Sequence, residues 1–344
     1  MSRVVFLFPS SRDEIVSRVQ AGQDADTALR GLNYIPDATY STAPSRFLQS
    51  LPFVSRLLQY DFIVAQDNLL LGYAVSVCAR LFQLKTRWIY VAMNSSVLMR
   101  RHAVHPVRLL LLKKFWASYS RIICLSSEQR EDFIRLGIAR ERLAFIPFGV
   151  DAHFFQPTDV SHEENLIVSV GRDAGRDYRT LFQAAERTDH PFVVVATHKN
   201  IPPGLSVPAN VSVLYDRSFT EIRDLYQRAR LVVIASKDVY LLEGSDCSGQ
   251  TVILDALAAR KAVIATYRSW IADYFIPGED LVVVEPGDPE SLAQAINSLW
   301  NDVEKRKCLA ASGHAKVVAR YTTKNFAEAL LKLMDSVVAQ NRIS

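Results

Sequence analysis

Residues 165–178 read NLIVSVGRDAGRDY, an apolar run that leads into a loop with two glycines and two arginines. Short β-branched runs of this kind recur along the chain, with amphipathic segments between them. This is the pattern of parallel strands joined by crossover helices. Strands are predicted in these runs: Val4 to Phe8, Phe62 to Ala65, Trp88 to Val91, Ile122 to Leu125, Leu143 to Ile146, Leu166 to Val170, Phe192 to Ala196, Val211 to Leu214, Leu231 to Ala235, Ala262 to Ala265 and Leu281 to Val284. Each half of the chain is therefore predicted to be an α/β sandwich with its own parallel sheet.

Length and composition predict two folded domains. The 344 residues exceed the size of one ordinary core, and 49% hydrophobic with 22% charged residues is an ordinary globular balance. A polar stretch from Phe154 to Glu164 separates the strands of the two halves and has the composition of a hinge. We therefore place an N-terminal domain at 1–157, a C-terminal domain at 158–322 and an amphipathic helix in the last segment, 323–344.

Charge and cysteine content argue against several classes of protein. A net charge of +4, from 40 basic and 36 acidic residues, is too small to require a nucleic-acid partner. The four cysteines lie far apart without CxxC spacing, so they indicate neither a disulfide framework nor a zinc site. No apolar stretch reaches the length of about 18 residues that a spanning helix needs. We expect no nucleic-acid partner and a cytoplasmic protein, with any membrane contact peripheral and on the inner face of the membrane.

Polar and basic residues follow the first strand of the second half. Ligands of parallel sheets lie at the carboxyl ends of the strands, a rule that selects Gly171, Arg172 and Arg176. The glycine permits close approach of the backbone, and the two guanidinium groups could hold a diphosphate through paired hydrogen bonds. In the alternative interpretation both arginines are solvated loop charges, paired with Asp173 and Asp177. The same rule selects Asn94, Ser126 and Ser236.

A loop of small polar residues leads into an amphipathic helix at 245–258. The free N–H groups and the dipole of a helix N-terminus favour anions. The candidate phosphate contacts there are Ser248, Gly249, Gln250 and Thr251. Thr251 and Asp255 share one helix face, where Asp255 could accept hydrogen bonds from ribose hydroxyls. The alternative makes Ser248 only an N-cap and Asp255 a surface carboxylate.

Several short motifs occur in order between Ser120 and Val338. They are Ile146 to Asp151, Phe155 to Pro157, Val170 to Arg172, Arg176 to Tyr178, Gly249 to Ala258, Lys261 to Thr266 and Pro286 to Pro289. Together they resemble the retaining glycosyltransferases of family 4, in the variant with Ser-Gly-Gln in the donor loop. The resemblance implies the GT-B fold, in which two Rossmann-like domains face each other across a cleft. It also implies that the helix in 323–344 packs back toward the N-terminal domain.

The resemblance assigns roles to the site residues. Arg172 and Arg176, the second in place of a lysine, would contact the donor diphosphate and act in catalysis. Asp255 would hold the ribose. Cys247 stands where the family carries a glutamate near the transferred sugar, and Glu243 is the acid that could replace it.

The resemblance also implies a reaction. The C-terminal half would hold a nucleoside-diphosphate sugar as co-substrate and the N-terminal half the acceptor, with Asn94 in place of a frequent histidine. We predict that a sugar is transferred, with retention and without metal or cofactor, to a hydroxyl of a glycan, a lipid-linked or a small-molecule acceptor. Two alternatives remain open. They are a sugar-nucleotide epimerase of the same fold and a non-catalytic nucleotide-sugar-binding subunit, which Cys247 favours.

Residues 100–121 combine six Lys and Arg side chains with leucines and aromatic residues. One interpretation is a basic helix that rests on anionic lipid, with Phe115 and Trp116 at the headgroup boundary. The other is a core helix whose cationic side chains extend to solvent from its ends. The sequence leaves both open.

Overall fold

The computed structural model describes residues 2–43, 53, 55–65, 87–158 and 163–343 of the chain. They form two compact units. Unit 1 comprises Met1–Gln20, Asp26–Pro147 and Thr323–Ser344, and unit 2 comprises Ala21–Ala25 and Phe148–Thr322. Part of the predicted hinge, residues 159–162, lies outside the described residues.

The division between the units differs from the sequence-based one at the first boundary. We expected it after Pro157, whereas Phe148 already belongs to unit 2. The reason is local packing, because the Phe155 ring lies 6.0 Å from the Tyr226 ring. The Gln227 amide also donates to the backbone carbonyl of Gln156 at 3.0 Å. Polar composition locates the linker but does not reveal these contacts.

Unit 1 is built on a six-stranded parallel sheet, with the strand order β2-β1-β3-β4-β5-β6. Its strands are β1 Val4–Phe8, β2 Thr39–Thr42, β3 Phe62–Ala65, β4 Arg87–Val91, β5 Arg121–Cys124 and β6 Leu143–Phe145. Strand β2 is not among the predicted strands, and its residues TYST are exposed or half-buried. An edge strand pairs on one side only, so it needs no apolar run of the kind that revealed the other strands.

Helices cover this sheet. They are α1 Asp13–Gln20, α2 Ser95–His102, α3 Pro106–Trp116 and α4 Ser127–Arg135. The last helix of the chain, Thr323–Ile343, belongs to the same unit. At the start of the last helix, Thr323 donates a hydrogen bond to the buried Asp26 at 2.7 Å.

The aromatic end of α3 lies in the core of unit 1. Phe115 and Trp116 are buried, and the Trp116 ring packs edge-on against Phe133 at 5.1 Å. The interpretation that places these two rings at a lipid headgroup boundary is therefore wrong, and the core-helix interpretation holds for them.

Unit 2 is built on a second six-stranded parallel sheet, in the order β12-β11-β10-β7-β8-β9. Its strands are β7 Ile167–Val170, β8 Phe192–Ala196, β9 Val211–Tyr215, β10 Leu231–Ile234, β11 Val263–Thr266 and β12 Val282–Val284. Its helices are α5 Tyr178–Ala185, α6 Phe219–Arg228, α7 Gln250–Ala258, α8 Ile271–Tyr274, α9 Pro289–Asn301 and α10 Val303–Arg320. The chain starts in the middle of the sheet at β7 and later returns to β10 on the other side of β7. The crevice between these two strands is the topological switch point, where open α/β sheets bind their ligands.

The predicted fold class is confirmed. Every run predicted as a strand is a strand, with its ends within one residue of the prediction. Both sheets are parallel, and within the described residues helices connect most of the successive strands, as expected for Rossmann-like domains. Among the described residues, no helix combines the length and apolarity needed to cross a bilayer.

Candidate functional site

The loop after β7 brings an arginine to the switch point. The chain leaves β7 at Gly171 and returns at Arg176, which forms an isolated antiparallel bridge with Ser236 just after β10. The Arg176 side chain is buried, and its Nη1 donates to Ser236 Oγ at 3.2 Å. Burial lowers the pKa of Arg176, but a guanidinium remains charged at neutral pH. A fixed positive charge therefore lies between the carboxyl ends of β7 and β10.

This buried charge lacks a carboxylate partner within the described residues. Arg176 Nε has no hydrogen-bond partner there. The nearby Asp173 carboxylate is used otherwise, since it accepts hydrogen bonds from the backbone N–H groups of Gly175 at 2.8 Å and Ser245 at 3.1 Å. A buried cation is costly unless it is paired. The arrangement is therefore suited to an anionic ligand.

Two glycines allow the backbone to approach Arg176. A Cβ at Gly171 would overlap the Arg176 side chain. Gly249 has the left-handed φ of 90°, and a Cβ there would lie 3.4 Å from both Arg176 Nη1 and Ser236 Oγ. Gly249 is also the N-cap of α7 and provides no side-chain cap. Arg176, Ser236 and the N-terminus of α7 thus meet at one place.

Ser248 and Gln250 flank this N-cap and are both buried. Ser248 Oγ has no hydrogen-bond partner among the described residues, and it would lie 2.9 Å from a Cβ on Gly175. The interpretation of Ser248 as the N-cap is wrong, because Gly249 takes that position. The hydroxyl group is consequently available next to the loop after β7.

Asp255 lies one turn into α7 and is not a surface carboxylate. It is 5% exposed, and its Oδ1 has no hydrogen-bond partner among the described residues. Burial raises the pKa of Asp255 well above the usual carboxyl range, and the charge of Asp151 adds to the shift. Thr251, on the same helix face, is half-buried. The Asp255 carboxyl group is therefore a buried acceptor with a vacant lone pair.

Arg172 has different surroundings from Arg176. Its side chain is exposed, donates to the backbone carbonyl of Arg217 and lies 6.0 Å from the centre of the Phe219 ring. The two guanidinium groups that the sequence analysis treated as a pair thus differ in burial and in partners.

Arg268 is a site residue that was not predicted from the sequence. It is 4% exposed and donates to the backbone carbonyls of Lys237 at 3.0 Å, Ser245 at 3.1 Å and Asp246 at 3.0 Å. Its charge is one of the factors that lower the pKa of Arg176. The available signal was its position two residues after β11, since the strand-end rule applies to that strand too.

The residue at the family's first carboxylate position is buried. Cys247 is 8% exposed and is not in a disulfide. Glu243, the acid considered as its replacement, is half-exposed and forms an ion pair with Lys237. The structure thus gives Glu243 a surface partner.

The two candidates in unit 1 lie after neighbouring strands. Asn94 follows β4, is exposed and is the N-cap residue of α2 without a side-chain hydrogen bond. Ser126 follows β5, is buried and caps α4 by accepting a hydrogen bond from Gln129 N at 3.1 Å. The Gln129 side chain bonds Leu125 N at 2.8 Å. Ser126 thus has a structural task in its own helix.

Two family models match consecutive parts of the chain. Glycosyltransferase Family 4 matches residues 3–154, and Glycosyl transferases group 1 matches residues 165–302. HepE of Anabaena, in a complex with UDP-glucose, superimposes with a TM-score of 0.75 at 16% identity over 98% of this chain and 100% of that one. The chain has the GT-B fold of two Rossmann-like domains. A glycosyltransferase from Rickettsia africae has the same fold, with a TM-score of 0.72 at 12% identity over 98% of each chain.

The curated relatives of this chain are distant. The O-antigen chain mannosyltransferase C of Escherichia coli is 25% identical over 254 residues, which cover 66% of this chain and 64% of that protein. The lipopolysaccharide core biosynthesis glycosyltransferase LpsE of Rhizobium meliloti is 29% identical over 103 residues, 30% of each protein. The chain thus matches less than two thirds of the length of these curated relatives.

Proposed function

We propose that the chain transfers a sugar from a nucleoside-diphosphate sugar to a hydroxyl group of an acceptor. The observation that carries the proposal is a set of buried polar atoms without partners in the described chain. They are Arg176 Nε, Ser248 Oγ and Asp255 Oδ1. All three belong to the switch-point loop or to the start of α7. Buried polar atoms are normally hydrogen-bonded, so a ligand that supplies phosphate oxygens and hydroxyl groups would complete this site.

The proposed mechanism assigns the leaving group to unit 2. As the bond from the anomeric carbon to the diphosphate oxygen breaks, negative charge develops on the diphosphate. Arg176 and the N–H groups at the start of α7 would stabilise that charge without reorganising. Ser248 would donate to a phosphate oxygen, and Arg268 would hold the loop at 237–246 in place. Asp255 would accept hydrogen bonds from the ribose hydroxyl groups.

The finer features of the reaction follow from the same assignment. Because Arg176 and the N–H groups at the start of α7 would stabilise the charge of the diphosphate, the proposed reaction needs no metal ion and no further cofactor. Retention of anomeric configuration follows from the family resemblance. The proposed acceptor is a carbohydrate or a lipid-linked glycan, in keeping with relatives named for lipopolysaccharide core and O-antigen synthesis. Asn94 is the proposed acceptor-side contact, and Ser126 is the second candidate there, in addition to its role as the cap of α4.

The first experiment is a thermal-shift screen of the purified chain with UDP, GDP, ADP and TDP and their common sugar conjugates. A ligand that binds only the folded state raises its stability, so one nucleotide should raise the melting temperature selectively. The selected donor is then incubated with acceptors, and the products are separated. A glycoside supports the proposal. A free, altered sugar nucleotide would identify an epimerase, and binding without turnover would identify a non-catalytic subunit.

We also propose that α3 places the protein on an anionic membrane surface. Four apolar side chains in or next to this helix are each more than half exposed: Val104, Val107, Leu110 and Leu111. Exposed cations surround them: Arg101, Arg108 and Lys114. Between residues 68 and 127 the sequence contains nine Lys and Arg residues and no acidic residue. Apolar side chains ringed by cations fit the interface of a bilayer with anionic headgroups.

Vesicle co-sedimentation tests this surface. The full chain should bind vesicles that contain phosphatidylglycerol better than vesicles of phosphatidylcholine alone, and added salt should weaken the binding. The double variant Val107→Ser, Leu111→Ser should bind at least about 10-fold less, because each buried methylene contributes about 0.8 kcal/mol. Val318→Ser, at an exposed position of α10 in the other unit, serves as the matched control. Equal binding by the double variant and the parent would refute the proposed surface.

A further inference from the structure

A cavity of about 380 Å³ lies at the opposite edge of the unit 2 sheet from the switch point. Arg230 directly precedes β10, and Lys261 lies just before β11, so the cavity adjoins the amino ends of these strands. The first half of α10 forms another wall. The charged residues that line this amino-edge cavity are Glu163, Arg230, Arg260, Lys261, Arg306 and Lys307. Five cations thus share one cavity with one carboxylate.

The two arginines compete for that carboxylate. Arg306 Nη2 lies 3.4 Å and Arg230 Nε 3.8 Å from Glu163 Oε1. The Arg306 side chain is only 7% exposed, whereas Glu163 is half-exposed. At 3.8 Å the Arg230 contact is too long for a hydrogen bond, and Arg230 Nε has no hydrogen-bond partner in the described chain. One half-exposed carboxylate therefore serves two guanidinium groups.

Helix ends explain part of this arrangement. Lys261 Nζ donates to the carbonyl of Gln227 in the last turn of α6 at 2.8 Å. Arg306 and Arg230 donate to the carbonyl of Trp300 in the last turn of α9. The C-termini of helices attract cations, so these contacts account for the position of the side chains. These contacts use one or two donors of each cation. Lys307 also pairs with the exposed Glu304 at 3.3 Å, so the excess of positive charge rests on Arg230, Arg260, Lys261 and Arg306.

Burial makes this charge excess unfavourable. It lowers the pKa of Lys261. It also lowers the pKa of Arg306, and the neighbouring charge of Arg230 adds to the effect. A bound anion would reverse these costs, because it supplies the missing negative charge and accepts the remaining N–H groups.

We propose that the amino-edge cavity binds a small phosphorylated anion. This second anion site lies on the same sheet as the donor site but at its opposite edge, and it goes beyond the proposed transfer reaction. Cavities of about 300–1,000 Å³ are typical of small-molecule sites, so this one has room for a phosphate group together with a small organic part. Arg230 and Arg306 hold the phosphate from one side and Lys261 from another, while Arg260 and Lys307 form the cationic entrance.

Calorimetric titration of the full chain tests the site. The probes are inorganic phosphate and glycerol 3-phosphate, with chloride at equal ionic strength as the control for screening. Lys261→Gln and the double variant Arg260→Ala, Lys307→Ala should each weaken phosphate binding at least about 10-fold, because charged hydrogen bonds are lost. The double variant changes only residues of the entrance, so it tests the cavity even where Lys261→Gln fails to fold. Tighter binding of glycerol 3-phosphate would identify a phosphomonoester as the ligand class, and equal binding would identify free phosphate.

Two controls separate this site from the donor site. Lys305→Ala removes an exposed cation of α10 that does not line the cavity, and it should leave phosphate binding unchanged. Arg176→Ala removes the donor-site cation and should leave unchanged the phosphate binding that Lys261→Gln weakens. The proposal is overturned when the parent chain binds neither probe. It is also overturned when Arg176→Ala abolishes binding while the cavity variants retain it, because phosphate then occupies the donor site.

Discussion

The candidate residues at the carboxyl edges of the two sheets differ in how completely the chain satisfies their polar groups. In unit 2 the strand order reverses at β7 and β10, and the buried Arg176 and Ser236 meet there. In unit 1 the order reverses at β1 and β3, and the residues that follow β3 begin at 66, outside the described residues. Its two candidates lie farther along the sheet, where Asn94 is solvated and Ser126 is occupied as a cap. Buried polar atoms without a hydrogen-bond partner thus indicate a ligand in unit 2, whereas the unit 1 candidates give no such indication.

The largest expected effect separates the two arginines of the switch-point loop. Arg176→Ala should weaken binding of the nucleoside diphosphate by about 10- to 100-fold, because a buried charge-assisted hydrogen bond contributes about 1.5–3 kcal/mol. Arg172→Ala, its matched control, removes an exposed side chain and should change the affinity less than about 3-fold. Titration calorimetry with the nucleotide selected in the screen measures both.

Equal losses in the two variants would restore the interpretation of a paired clamp. Unchanged affinity in both would remove the diphosphate from this edge of the sheet. The melting temperature of each variant should be measured as a control for folding. Neither arginine has a carboxylate partner among the described ion pairs, so each variant should remain folded.

The next largest effect concerns Asp255, whose replacement should change both the free energy of unfolding and the nucleotide affinity. The raised pKa means that the folded chain keeps a proton that the unfolded chain releases, so the free energy of unfolding falls as pH rises from the usual carboxyl range toward the raised value. Asp255→Asn cannot ionise and should be more stable than the parent at about pH 8, with the difference shrinking toward about pH 3. Urea unfolding at several pH values measures this.

The same variant should bind the nucleoside diphosphate about 10-fold more weakly, because an amide offers one acceptor oxygen to the ribose hydroxyl groups where the carboxylate offers two. Greater stability with weaker binding is the signature of a residue kept for a ligand. A variant that is less stable than the parent at every pH would instead make Asp255 a structural residue.

The smallest expected effect concerns Ser126 in unit 1. Ser126→Ala removes an N-cap and should lower the free energy of unfolding by about 1 kcal/mol, with nucleoside diphosphate affinity unchanged. Ser127→Ala, the exposed neighbouring position, is the control for the hydroxyl loss. A raised KM for acceptor with unchanged stability would instead support the substrate contact proposed for Ser126.

Sequence patterns located the strands of unit 2 well because these strands consist largely of buried apolar residues. Apolar runs predicted β7 and β10, and the glycines at 171 and 249 are required by close approach or by a positive φ. The same reasoning missed β2, which lies at an edge and has no apolar run. Local patterns thus reveal elements whose own residues are buried.

Contacts between distant residues were beyond the same reasoning. Arg268 is a lone arginine in the sequence, and only the fold brings it to the carbonyls of the loop at 237–246. The difference between the two arginines of the loop could not be predicted for the same reason. Arg172 donates to the backbone carbonyl of Arg217, whereas Arg176 donates to the hydroxyl group of Ser236. Residue type and spacing proposed the pair, and tertiary packing distinguished its members.

The glycine cap of α7 has a consequence for the dynamics of the free protein. A helix without a side-chain cap opens more readily at its first turn, and a bound anion would take the part of the absent cap. The hydrogen-exchange rate of the first turn therefore reports whether the site is occupied. Amide hydrogens near Thr251 should exchange more slowly with the anion bound than in the free protein.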